Sequence, residues 1–399
     1  MHCKKIKTKS GQLRWECVAD GPRDPATGKR NQITRRGKSQ KEAKNKILNE
    51  IRSIEDSGVD IKLSRSITFD VAAQRWYDTY KVTGKKDSTL LRRRKEVAIL
   101  NRHLAKQRIS KITHYMYQQA IYNLFPKYAE NTLNGIHDAA NQIFKYAKRN
   151  KWIKENPATD IIKPKKQKTI EEIKQNNIEE KYLERDELDE FLSAVVQYGL
   201  ELDKERFYTL TFSGMRPGEL SALQKSDLLF DTNAIDITKT LYNETNNMRK
   251  YELTAPKSDG AVRIIDMENK IMSMLKKLVI NNDKHKMKFR HLEDFHDKDF
   301  VFARKNGYPY STIPLNVRMN RILDKTTIKK TATPHIFRHT HVSMMTEAGV
   351  DIATIMKRVG HDDMATTMKI YTHVTNKMKK DAPVKMTNLY GNIIEKISF

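Results

Sequence analysis

PHIFRHTHVSMMTEAG (334–349) and VGHDDMATTMKIYTHV (359–374) read as three short helices joined by tight connections. Thr333-Pro334 marks the first start and Gly349 the first stop. Asp351 caps a second helix that ends at Gly360, leaving His361 just beyond its C-terminus. Asp362-Asp363 begin a third, which carries Tyr371. In the first helix His335, Arg338 and His339 fall at i, i+3 and i+4, and so share a face. Three short helices can bring His335, Arg338, His361 and Tyr371 to one place.

Three explanations compete for the histidines. His335 and His339 sit one turn apart, as zinc-binding pairs do, with His361 and Asp362 available to complete a site. An arginine on the same face would set a fixed positive charge beside that cation, and no HExxH-type carboxylate base lies between the histidines. Histidines merely satisfied inside the fold are the second explanation. A phosphodiester, the third, accounts for the mixture: its nonbridging oxygens suit planar guanidinium groups, and its attacking and leaving oxygens need proton transfer that His and Lys supply. SGMRPGEL (213–220) places Arg216 on a Gly-flanked, Pro-stiffened segment after the buried run FYTLTFSG (207–214). Pro256-Lys257 reads as a turn between the strands of KYELTAPKSDGAVRIIDM, with the lysine at its tip. Taken singly, Arg216 could be a helix-start ion pair with Glu219, and Lys257 ordinary turn decoration.

Charge points the same way. The 399 residues carry a formal net charge of +26 and only 38% hydrophobic residues, with a mean hydropathy of −0.72. Residues 1–165 hold 37 Lys+Arg against 16 Asp+Glu, whereas 166–399 hold 38 against 33. A polyanionic partner follows, and charge spread over several elements fits nucleic acid better than membrane. No apolar run approaches the ~18 residues of a membrane span, and MHCKKIKTKSGQLRW lacks the apolar centre of a signal peptide, so a cytoplasmic location is expected. Cys3 and Cys17 make no disulfide framework and are too few for a cysteine zinc site.

Along the chain, 1–60 reads as strands followed by a helix capped at Ser39, and 61–165 as helical throughout. LLRRRKE (90–96) and KYAKRNKWIK (145–154) read as phosphate-contacting helical surface. Residues 166–184 read as a charged linker and 185–399 as a mainly helical domain with a few strands.

GMRPGEL (214–220), APKSDGAVRII (255–265), PHIFRHTHVSMMTEAG and VGHDDMATTMKIYTHV together resemble the tyrosine recombinase family, in particular integrases of Gram-positive phages and conjugative elements. The resemblance is strong over 185–375, rests on architecture over 61–165, and is looser over 1–60. It implies an α+β chain: a small N-terminal arm-binding domain of a three-stranded sheet plus helix, a helical core-binding domain, and a mainly helical catalytic domain with a small β-sheet. Carried over, Arg216 and Arg338 clamp the scissile phosphate and His335 assists proton transfer from the nucleophile. His361 hydrogen-bonds a nonbridging oxygen, Lys257 protonates the leaving 5′-hydroxyl, and Tyr371 attacks phosphorus to leave a 3′-phosphotyrosyl link. Glu219 and His339 support these groups, and His341 has no role in the chemistry. The implied partners are double-stranded DNA with core-type and arm-type sites, a homotetramer on synapsed DNA, and an excisionase or host DNA-bending protein as candidate accessory factor. No cofactor and no metal are implied, because the cations are side chains. A type IB topoisomerase-like enzyme and a catalytically silent DNA-binding regulator are the alternatives; the basic N-terminal module favours the recombinase. The tail 376–399 is expected to pack on a neighbouring protomer.

Overall fold

The computed structural model describes residues 1–8, 11–21, 31–57, 66–165, 178–243, 247–256, 259–360 and 364–380. The chain divides into two compact units, 1–167 and 168–399.

The first unit begins with an antiparallel sheet, β1 (His2–Lys7), β2 (Leu13–Gly21) and β3 (Asn31–Gly37), in that order. Helix α1 (Gln40–Ser57) follows, with the Ser39 hydroxyl accepting the Glu42 N–H at 3.1 Å, as an N-cap should. Cys17, Ala19 and Ile33 from the sheet bury against Ala43 and Ile47 of α1, a small core of its own. Cys3 and Cys17 are register partners on β1 and β2 and are joined by a disulfide. That corrects the expectation that the two cysteines make no disulfide framework: no spacing rule announces the bond, because only the strand pairing makes them neighbours.

The helices α2 (Phe69–Lys81), α3 (Asp87–Leu104), α4 (His114–Leu124) and α5 (Glu130–Arg149) share a second core. Phe69, Ala72, Ala73 and Trp76 meet Leu100, Leu104, Ala140, Ile143 and Phe144 there, each at helical spacing on its own element. Not all of LLRRRKE is phosphate-facing surface. Arg93 is buried and donates to Glu96 Oε2 at 2.7 Å and to the Gly135 carbonyl at 3.0 Å, tying α3 to α5. Arg92, Arg94 and Lys95 remain exposed, as do Lys145, Lys148, Arg149, Lys151 and Lys154 of the second basic run.

In the second unit, Ile178, Tyr182 and Leu183, expected within the linker, pack against the core, while Glu179, Glu180 and Lys181 between them stay exposed. Tyr182 is buried among Val342, Ile355, Val359, Ile370 and Val374, and the Leu183 N–H donates to Thr340 Oγ1 at 2.9 Å. Helices α6 (Arg185–Tyr198), α7 (Asp203–Ser213) and α8 (Pro217–Ala222) then lead into a three-stranded sheet of β4 (Leu228–Leu229), β5 (Ala234–Ile237) and β8 (Arg263–Asp266). β6 (Thr240–Tyr242) pairs with β7 (Glu252–Thr254). Because β8 pairs with β5 and β7 with β6, the segment 255–262 is not the turn of a simple β7–β8 hairpin. Lys257 lies outside the described residues.

Helices α9 (Asn269–Phe289), α10 (Thr312–Leu323), α11 (Ile336–Glu347), α12 (Ile352–Val359) and α13 (Met364–Lys380) complete the unit. Phe191 of α6, Phe207 of α7 and Phe337 of α11 interlock with ring centroids 5.2–5.5 Å apart, which seats α11 at the centre. Asp351 caps α12 by accepting the Thr354 N–H at 2.9 Å, and Gly360 ends it in a left-handed conformation. Among the described residues no helix is long and apolar enough to cross a membrane. Of the tail 376–399, expected to dock on a neighbour, residues 376–380 continue α13 and the remainder lies outside the described residues.

Candidate active site

Arg216 stands at the N-cap of α8, between Gly214, which closes α7 at φ +63°, and Pro217 at the first helical position. Glu219, three residues on, is buried and reaches back: one carboxylate oxygen accepts the Arg216 backbone N–H at 2.9 Å, the other its Nη1 at 2.7 Å. The ordinary reading of a helix-start ion pair is thus correct and incomplete. Arg216 Nη2 goes on to donate to the carbonyl of Gly360 at 3.0 Å, across from a different part of the chain.

Arg338 converges on the same oxygen. Its guanidinium is fully buried, donating Nη1 to the Gly214 carbonyl at 2.9 Å and Nη2 to the Gly360 carbonyl at 3.4 Å. Burial, followed by repulsion from Arg216, lowers its pKa to about 9, which leaves it charged at neutral pH. Two cations forced together in a protein interior are costly unless an anion joins them. Gly360 permits the convergence. Its φ is +62°, and a Cβ there would meet the Gly260 carbonyl oxygen at 3.0 Å and the Ala261 Cα at 3.1 Å. The chain just before His361 therefore runs against the chain just after Lys257 and Ser258. His361 itself lies outside the described residues, like Lys257.

His335 is the N-cap of α11, one residue before the helix proper, and retains access to solvent. Protein packed around it, then the charges of Arg338 and Arg216, lower its pKa. It is therefore neutral at pH 7 and able to accept a proton. His339 packs edge-on to it, ring centroids 5.0 Å apart. Burial, His335 and Arg338 hold His339 down at about 4, so it is a neutral spacer behind His335. Among the described residues no three His, Cys, Asp or Glu side chains are grouped to hold a metal.

Tyr371 is half-buried on α13, packed against the cluster that joins this helix to α11, α12 and the 178–183 segment. Glu179 approaches His373 of the same helix at 3.3 Å. The described structure thus unites Arg216, Arg338 and His335 electrostatically around Gly360 and sets Tyr371 on the helix packed beside α11.

Three further residues surround the arginines: Arg263 and Arg358, which the sequence motifs did not single out, and His341, expected to have no role in the chemistry. Arg263 is buried on β8 and donates Nη2 to Glu219 at 2.9 Å and Nε to the Arg358 carbonyl at 2.7 Å. Arg358 donates Nε to His341 Nε2 at 3.0 Å and Nη2 to the Asp266 carbonyl at 2.8 Å. His341 bonds the Thr211 carbonyl through Nδ1 at 2.9 Å. A sequence signal existed for Arg263: β8 alternates buried and exposed, and the arginine occupies an inward position.

Glu219 is the carboxylate that Arg216 and Arg263 share. Burial alone would raise its pKa, but Arg263 and then Arg216 outweigh that and hold it below the ordinary carboxylate value. Glu219→Gln should cost about 3 kcal/mol of unfolding free energy at pH 7, because Arg263 stays buried without its counter-charge. A carboxylate whose folded pKa is depressed contributes stability above its unfolded pKa and loses it as pH falls through the folded one. Urea unfolding should therefore show the gap between the two proteins narrowing below about pH 4.

Comparison with known proteins meets this geometry. The model of the phage integrase family matches residues 181–378, which include every residue of the site. An integrase of Staphylococcus phage L54a is 28% identical over 335 residues, covering 82% of this chain and 94% of its own. A probable integrase of prophage ps2 from Lactococcus lactis is 29% identical, covering 90% and 93%. The fold is shared with the Tn1549 transposon integrase solved in complex with transposon right end DNA, at a TM-score of 0.61 and 21% identity, covering 81% of this chain and 99% of that one. The convergence of Arg216 and Arg338 beside a tyrosine-bearing helix, within a matched domain, makes this chain a member of the phage integrase family, a site-specific tyrosine recombinase.

Proposed function

We propose that the chain integrates and excises a mobile element of a Gram-positive host by cutting and rejoining DNA through a 3′-phosphotyrosyl intermediate. The observation that carries this is the shared hold of Arg216 and Arg338 on the Gly360 carbonyl. Two guanidinium groups from separate motifs are thereby aimed at one place, where their donors and charge suit a phosphodiester.

In the proposed step the Tyr371 oxygen bonds phosphorus while the bond from phosphorus to the 5′-oxygen breaks. Neutral His335 takes the tyrosine proton, and Lys257 supplies one to the departing 5′-hydroxyl. His361 steadies a nonbridging oxygen. A free tyrosine hydroxyl, with a pKa near 10, is a weak nucleophile, and the arginines favour the charge that develops as it attacks. The phosphotyrosine keeps the bond energy for a second DNA hydroxyl, so no nucleoside triphosphate is consumed. Exchange between two duplexes needs four strand cleavages and the chain carries one nucleophile, so four copies act together. Residues 1–60 would grip arm-type DNA, 61–165 the core site, and 185–399 the scissile phosphate, since most of the excess positive charge lies before residue 166. An excisionase or a host DNA-bending protein would set the direction.

The test is a nicked suicide duplex bearing the attachment core read from the DNA beside the gene. The wild-type chain should form a covalent adduct that survives denaturation, at the same rate with and without EDTA. Loss of the adduct in EDTA would restore a metal mechanism, and no adduct on any attachment core would overturn the proposal.

A further inference from the structure

We infer that His341 and Arg358 are positioning residues for the arginine pair, acting through the backbone at the end of α12, from Arg358 to Gly360. This rests on the strand-transfer function proposed above.

The hydrogen bonds of His341 admit one arrangement. Thr211 offers it a carbonyl, which only accepts, so Nδ1 carries the proton. Arg358 offers it an Nε–H, which only donates, so Nε2 must be the bare acceptor. The ring is neutral and locked in one tautomer, and burial followed by the Arg358 charge keeps it so, with a pKa of about 3. Its place is made by Gly214, where a Cβ would meet the His341 Cδ2 at 2.6 Å. The same Gly214 offers its carbonyl to Arg338.

Arg358 is then fixed from several directions. Its side chain holds His341 and the Asp266 carbonyl at the end of β8, and its own carbonyl is held by Arg263 at 2.7 Å. Two residues later comes the Gly360 carbonyl that receives both Arg216 and Arg338. A closed circuit results: Gly214, His341, Arg358, Arg263, Glu219, Arg216, Gly360, Arg338 and back to Gly214. Releasing Arg358 from His341 frees the end of α12, and the common anchor of the two guanidinium groups shifts with it. A displacement near 1 Å at reacting groups costs on the order of 100-fold in rate. Neither His341 nor Arg358 needs to touch DNA for that loss to occur.

The test uses the full chain as Arg358→Met, Arg358→Lys and His341→Phe, on nicked duplexes with an ordinary scissile phosphate or a phosphorothioate. Sulfur replaces one nonbridging oxygen and is the poorer hydrogen-bond acceptor, so the rate ratio between the two substrates reports the guanidinium contact. Adduct formation at saturating DNA should fall about 100-fold in Arg358→Met and His341→Phe. Arg358→Lys, which keeps a donor and the charge, should recover about tenfold of that. Affinity for uncleaved duplex should stay within about twofold, a change of under 1 kcal/mol. The thio ratio should flatten in the two severe variants; being internal to each preparation, it is blind to any unfolded fraction. A thio ratio equal to wild type, or a loss confined to DNA affinity, overturns the inference while wild-type cleavage still upholds the function. No adduct from the wild type would overturn both.

Discussion

Tyr371→Phe should leave no covalent DNA adduct detectable, with DNA affinity changed by less than about twofold. The chain has 16 tyrosines, and the substitution asks whether one of them alone bonds phosphorus. Tyr371 packs its ring against the cluster of Tyr182, Val342, Ile355, Val359, Ile370 and Val374. Phenylalanine preserves that packing, so α13 should stay in place and the DNA-binding surfaces with it. A gel-shift assay and a denaturing gel on the same suicide duplex read the two quantities side by side. An adduct formed by the variant would move the nucleophile to another residue; lost affinity would mean that the ring, not the hydroxyl, is what matters.

Arg338→Lys should lower the rate of adduct formation by roughly 10²–10³-fold, the scale of losing one preorganised donor to a developing anion. The charge survives the change, so a smaller effect would follow if charge were all that counted. The geometry argues otherwise. One planar group spans the Gly214 and Gly360 carbonyls, and an ammonium cannot present donors to both in a fixed plane. Losing the Arg338 donor at the Gly214 carbonyl would cost a further ~1–3 kcal/mol of stability, whereas the Gly360 carbonyl keeps Arg216. Single-turnover rates at saturating DNA, with urea unfolding of the same protein, separate the two effects. A loss under tenfold would show that Arg338 acts only as a point charge.

Much of this molecule was legible in one dimension because it is built from local chemistry. Gly349, Asp351 and Gly360 place the helix ends that the backbone demands there, and the helix carrying Tyr371 follows. The stripe Phe69, Ala72, Ala73 and Trp76 announces a buried helix face, and it is one. Arg216, Arg338 and His335 stood out because each is a costly residue type beside a helix start or in an apolar run.

Other features depend on residues far apart in sequence, and there periodicity is silent. The Cys3–Cys17 bond depends on which strand pairs with which. That β7 and β8 are not the two arms of one simple hairpin appears only once β7 is seen to pair with β6 and β8 with β5. Tyr182, in a stretch charged enough to resemble a linker, is buried because α11, α12 and α13 leave an apolar groove for it. His341 looked like a residue without a task, since its partners, Thr211 and Arg358, come from two other helices. The sequence by itself determined helix ends, amphipathic faces and the candidates for the reactive groups, all of which are read within a few residues. Only the tertiary structure decided what holds those groups at Gly360: buried charges must find partners wherever the fold supplies them.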